Sequence, residues 1–586
     1  MNYHTSAAFR LWRRQLQDQG HRGVVYISVS PFADHQGIAL ANEPNQFRYR
    51  ARAFERQQLP QSITLSSLVF DLLDGWHPDH LATLVGCLQG GALLIIIGPP
   101  LGSLYRFQDP QYSHMSPWPR ISPWHTHYLR NIAQSLSQGQ HASNPWVYEL
   151  QSTPAAVNVL VDTLSAEPQH SKQHSKDIHS HQAAKSPTHS QTVTAVKSHS
   201  YLAPEPDQRQ CIEQYNTTWR ASQAGHATPW LLLQGDRGLG KTTSFLLWLE
   251  QLLPSLTTPI TIAYLTARDQ QQTPWREWQR QNRELIKIHT LLCSASQALT
   301  MPMPQLICID EIASWPLNQL TDLLQRFNTA NQQWLLLLGS MDGYEGSARA
   351  LAHMPWPRPI QRLALTQSKR WQGHDQLSHW IQTSCLARTH WPVQSISKSR
   401  LQLPSQPVLI PMEFDTLIEQ NQWFSLMATA HYRTRPSDLR VVLDAPNQYL
   451  YGLWDSPARK YLLGGLWLSG EGPIAEHLQL GILRKQRRLR SQFAPQYVAN
   501  YWLSQAQPDQ AKYALDAAWI RIVRIAIAPA WQTQGLGRQL VMQAMQRHPN
   551  AHFAVSFKPN SSTSAFWQQL AWQQLSPSFY LAPSSY

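Results

Sequence analysis

The sequence predicts a multidomain α/β protein, on three observations. The chain has 586 residues, enough for roughly three to four domains. Short apolar runs of strand length alternate with helical stretches through most of it, the pattern of sheets crossed by helices. A tract lacking large apolar residues separates the first of these stretches from the rest. Hydrophobic residues make up 42%, which supports several cores, while charged residues make up only 15%. Gln, Ser, His and Asn must therefore supply much of the polar surface.

Residues 1–165 read as a small α/β domain. Apolar runs Val24–Ser28 and Ala92–Ile97 are candidate buried strands, with a periodic segment at Leu81–Leu88 between them, and Gly98-Pro99-Pro100 stops the second run. Residues 166–200 read as a flexible linker rich in His, Ser, Gln and Lys, because such a composition cannot repay the entropy of ordering. Its histidines (His170, His174, His179, His181, His189, His199) could bind metal, but nothing fixes their geometry, and a polar tether is the better reading. Residues 201–402 carry strand-length runs Trp230–Gln234, Ile260–Leu265, Gln305–Ile309 and Trp334–Leu338, which predict a parallel sheet with crossover helices. Residues 403–586 carry strand candidates Leu450–Trp454, Leu462–Leu468, Arg521–Ile527 and Phe553–Phe557, with helices after the last two.

The formal net charge is +13, which favours a polyanionic partner through release of counterions from phosphates. Cys87, Cys211, Cys293, Cys308 and Cys385 are scattered and form no CxxC pair, which argues against a disulfide framework and a zinc site. The N-terminus lacks an apolar leader, and the longest apolar run, Ala92–Ile97, is far short of the ~20 residues a membrane span needs. The expectation is a cytoplasmic protein without a membrane partner.

Gly235-Asp236-Arg237-Gly238-Leu239-Gly240-Lys241-Thr242 fits the phosphate-loop pattern G-x-x-x-x-G-K-[ST] in full, after a strand and before the apolar helix Thr243–Leu252. Its glycines let backbone N–H groups curl around phosphates, Lys241 reaches the terminal phosphates, and Thr242 ligates Mg²⁺. Leu306-Ile307-Cys308-Ile309-Asp310-Glu311 is an apolar strand ending in two acids. Asp310 is the second candidate Mg²⁺ ligand, and Glu311 the group that orients the attacking water. Gln208 stands where helicase-type ATPases read adenine. These residues predict a RecA-like ATP-binding unit.

After strand Arg521–Ile527 comes Gln532-Thr533-Gln534-Gly535-Leu536-Gly537-Arg538, then the helix Gln539–Met545. Two glycines at a strand–loop–helix junction allow close backbone approach, and a helix N-terminus favours a pyrophosphate. This loop is similar to the signature loop of the GNAT acetyltransferases. That likeness implies acetyl-CoA as cofactor, with its pantetheine arm along Ile525, Ala526 and Ile527, and a GNAT fold for the last domain.

A P-loop ATPase followed by an acetyltransferase resembles the bacterial tRNA(Met) cytidine acetyltransferases. Phe70-Asp71-Leu72-Leu73-Asp74-Gly75 and Gly90–Pro100 look like that family's N-terminal domain. The Asp310–Pro316 stretch resembles its DEAA-x-x-P strand end, and Gly343-Tyr344-Glu345-Gly346-Ser347-Ala348-Arg349 its GYEGTGR segment. Ala430-His431-Tyr432-Arg433-Thr434 and Asp444-Ala445-Pro446 resemble the opening of its acetyltransferase domain. The resemblance implies ATP-dependent transfer of acetyl to N4 of the wobble cytidine of elongator methionine tRNA, with no obligate protein partner evident.

It also implies residue roles. His431 becomes the candidate base, Tyr432 a proton donor to the leaving thiolate, and Thr243 and Arg349 further ATP contacts. Arg484, Arg487, Arg488 and Arg490, in a segment resembling the family's RRPRGN, become RNA contacts. Three departures stand out. The last of those segments reads Arg487-Arg488-Leu489-Arg490-Ser491-Gln492; Ser562 and Gln569 stand where family members carry a Glu and an Arg; and the chain ends at Tyr586, where bacterial members usually continue into a tail that helps bind tRNA. Two other readings stay open: a protein or small-amine N-acetyltransferase with an ATPase module, and an RNA-remodelling ATPase with a decayed acetyltransferase site.

Overall fold

The computed structural model describes residues 3–29, 46–50, 64–112, 126–151, 204–236, 238–267, 272–286, 290–292, 303–315, 317–328, 333–340, 356–368, 370–371, 373, 375–384, 407–413, 417–430, 435–489, 493–557 and 561–583. The expected linker, Arg237, the Gly343–Arg349 segment, His431–Thr434, Arg490, Cys293 and Cys385 lie outside these residues. The structure is a multidomain α/β arrangement built on three sheets.

The first sheet runs Gln46–Arg50, Leu65–Asp71, Leu88–Gly98, Gly23–Ser28, Val147–Gln151, with all neighbours parallel. Its two expected strands pair directly, Val24 with Leu94 through Ile27 with Ile97. The run Ala92–Ile97 is apolar throughout because both faces are covered, as parallel sheets require. Leu93, Ile95 and Ile97 face helix Tyr3–Asp18 through Phe9, Trp12 and Leu16. Leu94 and Ile96 face the opposite core, where helices Pro78–Val85 and His127–Gln140 pack. The periodic segment expected at Leu81–Leu88 is helical only to Val85, and Leu88 opens the central strand.

The second sheet runs Ile360–Ala364, Trp230–Gln234, Trp334–Gly339, Leu306–Ile309, Thr261–Leu265, Thr290–Leu292, again all parallel. Four of these strands match the expected runs. Ile360–Ala364 escaped because it is an edge strand with polar residues between its apolar ones, and Thr290–Leu292 because it has three residues.

The third sheet runs Val408–Pro411, Gln448–Trp454, Leu462–Glu471, Trp519–Ile527, His552–Ser556, Phe579–Leu581, Gln573–Ser576. It is antiparallel except where Trp519–Ile527 meets His552–Ser556 in parallel. One continuous apolar core joins this sheet to the first.

Buried ion pairs fix the units against each other. Arg22 Nη2 meets Asp375 Oδ2 at 2.6 Å, with both side chains 1% exposed. Arg22 also donates to Val85 O at 2.7 Å and lies 3.6 Å from the Trp371 ring centroid. Helix Gln376–Ser384, which follows the second sheet in sequence, thus packs on the first, where Trp380 Nε1 donates to Ser135 Oγ at 2.8 Å. Helix Pro436–Asp444 docks similarly: Arg440 Nη2 meets Asp109 Oδ2 at 2.6 Å, and Asp444 accepts from Tyr112 Oη at 3.0 Å and Tyr128 N at 2.9 Å.

Candidate functional site

The phosphate loop leaves strand Trp230–Gln234 and ends on Gly240, the left-handed cap of helix Lys241–Leu252. Gly238 and Gly240 hold φ of 90° and 86°, conformations open to glycine and strained for side chains. A Cβ at Gly240 would collide with the Gln208 side chain. Gln208 is buried beneath the loop: its Oε1 accepts Glu205 N–H at 3.1 Å, and its Nε2 donates to Leu239 O at 3.5 Å and Gly240 O at 3.3 Å. In this arrangement Gln208 props the loop. Lys241 Nζ donates to Gly235 O at 2.9 Å and Asp236 O at 3.1 Å, so the ammonium lies inside the loop. Leu239 is buried and Thr243 half-buried in the first helical turn. The far side of the loop meets its neighbours, with Gly238 against Trp371 and Asp236 Oδ2 accepting from Gln382 Nε2 at 3.1 Å.

The two expected Mg²⁺ ligands are together. Thr242 Oγ1 donates to Asp310 Oδ2 at 2.6 Å, and Tyr264 Oη donates to the same oxygen at 2.5 Å. Asp310 Oδ1 accepts Glu311 N–H at 2.7 Å, and Glu311 sits at φ 49°, a strained conformation for a side-chain-bearing residue beside a candidate metal position. A hydroxyl and a carboxylate at a helix N-terminus are a donor set suited to a hard cation with nucleotide phosphates.

Burial, then the neighbouring Glu311 charge, raises the Asp310 carboxyl to about 6, against the pull of the two hydroxyls. The sign follows: the ionised form destabilises the nucleotide-free protein, a cost absent well below the unfolded carboxylate range and complete above about 6. Metal binding needs the ionised form. Without bound metal the carboxyl holds its proton below about 6, so affinity for Mg²⁺ is expected to weaken as pH drops below that value, and an affinity flat from about pH 7 to about pH 5 would remove Asp310 as ligand.

The second candidate site lies on the third sheet. Strand Trp519–Ile527 pairs with His552–Ser556 only from Trp519 to Ile522. On its other edge it stays paired as far as Ile527 with Gly464, but the register shifts between Trp467 and Leu468, leaving Val523 as an extra residue. Such a bulge bends a strand and strengthens its twist. Beyond it, Ile525, Ala526 and Ile527 have no strand on the His552 side among the described residues. Their backbone groups face a cleft that an amide-bearing chain can enter as a further strand.

At the end of this cleft Gln532 Nε2 donates to Ile527 O at 3.0 Å and closes the turn. Thr533 (φ 63°) and Gly535 (φ 80°) bring the chain round, with Gln534 exposed between them. Gly535 caps helix Leu536–Arg547, and a Cβ there would meet nothing within 4 Å, so the helix end is open. Its unpaired N–H groups and positive dipole end suit a pyrophosphate. Gly537 abuts Phe566 and Ile527, and Arg538 is exposed on the first turn. The residues present fit both nucleotides.

Arg484, Arg487 and Arg488 are exposed on the turn after helix Glu476–Leu483, and buried Leu489 anchors that turn through its N–H to Gln496 Oε1 at 2.9 Å. Gln569 is exposed at the end of helix Ser561–Gln569. His431, Tyr432, Arg349, Arg237 and Arg490 lie outside the described residues; Leu417–Ala430 and Pro436–Asp444 are the helices on either side of the first two. Sequence reading missed Asp79, Gln382, Asp438 and Arg524. Their partners lie 86 to 358 residues away, so no local spacing could reveal them.

Three family profiles match the chain in order. Residues 1–143 match "tRNA(Met) cytidine acetyltransferase TmcA, N-terminal", residues 232–388 "RNA cytidine acetyltransferase NAT10/TcmA, helicase domain", and residues 422–574 "GNAT acetyltransferase 2". The chain is similar to the tRNA(Met) cytidine acetyltransferase TmcA of Vibrio cholerae, 29% identical over 58% of this chain and 48% of that protein. It is similar to the protein of the same name in Nitrosococcus halophilus, 24% identical over 91% and 68%, and to that of Yersinia pestis, 30% identical over 45% and 37%. The aligned region therefore spans about half of the Vibrio relative's length.

Proposed function

Because this chain belongs to the tRNA(Met) cytidine acetyltransferase family, we propose that it transfers acetyl from acetyl-CoA to N4 of the wobble cytidine of elongator methionine tRNA, with ATP hydrolysis. One observation carries the reading. A phosphate loop with Thr242 against Asp310, and a splayed strand ending in an open glycine-capped helix, occur in one polypeptide.

Cytosine N4 is a poor nucleophile because its lone pair is delocalised into the ring, so holding it against the thioester is the main task of the protein. Acetyl-CoA supplies the activated acyl group. Ile525, Ala526 and Ile527 would hold its amide-bearing arm, and the Gln532–Arg538 turn its pyrophosphate. Lys241 and the loop from Gly235 would hold ATP phosphates, Thr242 and Asp310 would hold Mg²⁺, and Glu311 would orient water. Arg349, on the family resemblance, would contact the ATP phosphates. Arg484, Arg487, Arg488 and Arg490 would contact RNA backbone, with the site of action in the cytoplasm. No helix among the described residues is long and apolar enough to cross a membrane.

We propose domain limits at 1–165, 166–200, 201–402 and 403–586, a division supported by three sheets whose strands span Gly23–Gln151, Trp230–Ala364 and Val408–Leu581. Helix Gln376–Ser384 is the exception: it belongs to the third stretch by sequence and to the first by packing.

His431 is the proposed base and Tyr432 the proposed acid. His431→Ala is expected to slow acetyl transfer about a hundredfold, with acetyl-CoA affinity unaltered by calorimetry; full activity would return His431 to a packing role. The reading as a whole is tested by incubating the protein with acetyl-CoA, Mg²⁺-ATP and total tRNA. Mass spectrometry of the digested tRNA should show N4-acetylcytidine that disappears when ATP is left out. Acetyl-CoA binding without acetylcytidine would overturn the acceptor, and acetylation of protein or small amines instead would identify another class.

A further inference from the structure

Helix Pro436–Asp444 is gripped at its first turn from two directions. From the first unit, Asp79 uses both carboxylate oxygens: Ser437 N–H donates to Oδ1 at 2.8 Å and Ser437 Oγ–H to Oδ2 at 2.8 Å. From the third sheet, Arg524 Nη2 donates to Asp438 Oδ2 at 2.5 Å, and the same oxygen accepts Arg435 N–H at 2.9 Å. Both carboxylates stand at a helix N-terminus, where the backbone dipole favours negative charge. Burial pushes the Asp79 carboxyl upward, the Ser437 donors and the Arg435 charge pull it back, and the neighbouring Asp438 charge adds a smaller upward push.

Arg524 is the informative member. It is 8% exposed, and its guanidinium carbon lies 5.2 Å from the Trp467 ring centroid. Arg524 and Trp467 are also the register partners that resume the ladder after the extra residue Val523. The next residues are Ile525, Ala526 and Ile527, the stretch without a strand on its His552 side. Strand alternation turns the Arg524 side chain to the face opposite Ile525 and Ile527, away from any cofactor contact of those two side chains. A bulge adds a residue that the ladder does not hold. A buried guanidinium fixed to Asp438 supplies the missing restraint and sets the direction in which the strand leaves its neighbour.

We propose that Asp79 and Arg524 are positioning residues for acetyl transfer. Acting through the first turn of helix Pro436–Asp444, they hold the splayed half of strand Trp519–Ile527 in place relative to the first unit. Neither touches the reacting atoms. The inference rests on the acetyltransferase reading of that cleft. It makes the N-terminal unit part of the acetyltransferase machinery, since Asp79 lies more than three hundred residues upstream of the helix it holds.

The test compares Asp79→Asn, Arg524→Met, Arg524→Lys and the double variant Asp79→Asn/Arg524→Met in the full chain. Misplacing a bound group by an ångström can lower a rate about a hundredfold. Each single variant, Arg524→Lys aside, is expected to lower kcat for tRNA acetylation by about ten- to a hundredfold, with KM for acetyl-CoA changed less than about threefold. Because both act through one helical turn, the double variant should be no worse than the weaker single, and Arg524→Lys should recover most of the rate. Multiplying single effects in the double variant, or full activity of Arg524→Met, would overturn the proposal.

Amide hydrogen exchange supplies a readout that needs no acceptor. Asp79→Asn should speed exchange about tenfold or more at residues 519–527, on the far side of the helix from the substitution. Unaltered exchange there overturns the mechanical link whatever the acceptor is. If exchange responds as expected while the unsubstituted protein makes no acetylcytidine, the acceptor assignment fails and the link stands.

Discussion

Lys241→Ala is expected to lower ATP turnover by about a hundred- to a thousandfold, the range for removing one aimed electrostatic donor from a transition state, and to leave acetyl-CoA binding untouched. Lys241 is 6% exposed, with its ammonium 2.9 Å from Gly235 O and 3.1 Å from Asp236 O. Both acceptors are carbonyls of the phosphate loop, so the ammonium is held within the cradle before any phosphate arrives. Alanine would remove the charge proposed to neutralise the transferring phosphoryl group and leave the glycine-shaped backbone intact. Loss of two bonds to neutral carbonyls should cost only about 1–2 kcal/mol of stability, so folding and catalysis separate cleanly. Steady-state phosphate release and acetyl-CoA calorimetry check both halves. Turnover above about a tenth of the original rate would sink the role given to this lysine.

Asp375→Ala is expected to give the largest loss of stability, about 3–5 kcal/mol, because it strands a buried guanidinium. The pair is 2.6 Å apart and each side chain is 1% exposed. Burial already lowers the Arg22 pKa, and Asp375 acts against that pull through charge and hydrogen bonding. Asp375 also accepts Arg22 N–H at 2.9 Å and Ser378 N–H at 2.8 Å, so its loss further uncaps helix Gln376–Ser384. Val85 O and the Trp371 ring would be the remaining partners of Arg22 among those described above. Chemical denaturation measures the loss. The double replacement Arg22→Met/Asp375→Leu should recover much of it, since removing both charges also removes the desolvation cost. A loss below about 1 kcal/mol for Asp375→Ala would mean that water reaches this pair.

Much of the fold was legible because local chemistry dictated it. The unbroken apolar run at Ala92–Ile97 could only be a strand covered on both faces, and the glycines of the phosphate loop and of Gly535 require conformations that few other residues adopt. Thr242 and Asp310 were assigned together from separate motifs, and the parallel sheet brings them to 2.6 Å. Strand ends were less legible: Trp519–Ile527 begins two residues before the expected start, since Trp519 is buried yet follows no turn signal. Gln208 was placed where helicase-type ATPases read adenine, and the structure sets its amide beneath Gly240, 3.3 Å from that residue's carbonyl oxygen. What sequence could not show is how the units meet. The salt bridges at Arg22 and Arg440, and the bonds from Asp79 and Arg524, join residues whose own neighbourhoods carry no periodic or motif signal.

The pairing of Arg22 with Asp375 and of Asp109 with Arg440 has a consequence for the order of synthesis. The partners are separated by 353 and 331 residues. At roughly 5–20 residues per second, each early member leaves the ribosome some tens of seconds before the residue that completes it. The first sheet has all five strands by Gln151, yet in that interval it carries an unmatched guanidinium and an unmatched carboxylate on the faces that later close. The nascent unit must therefore keep those two positions hydrated, and its final consolidation waits for helices Gln376–Ser384 and Pro436–Asp444 to be made.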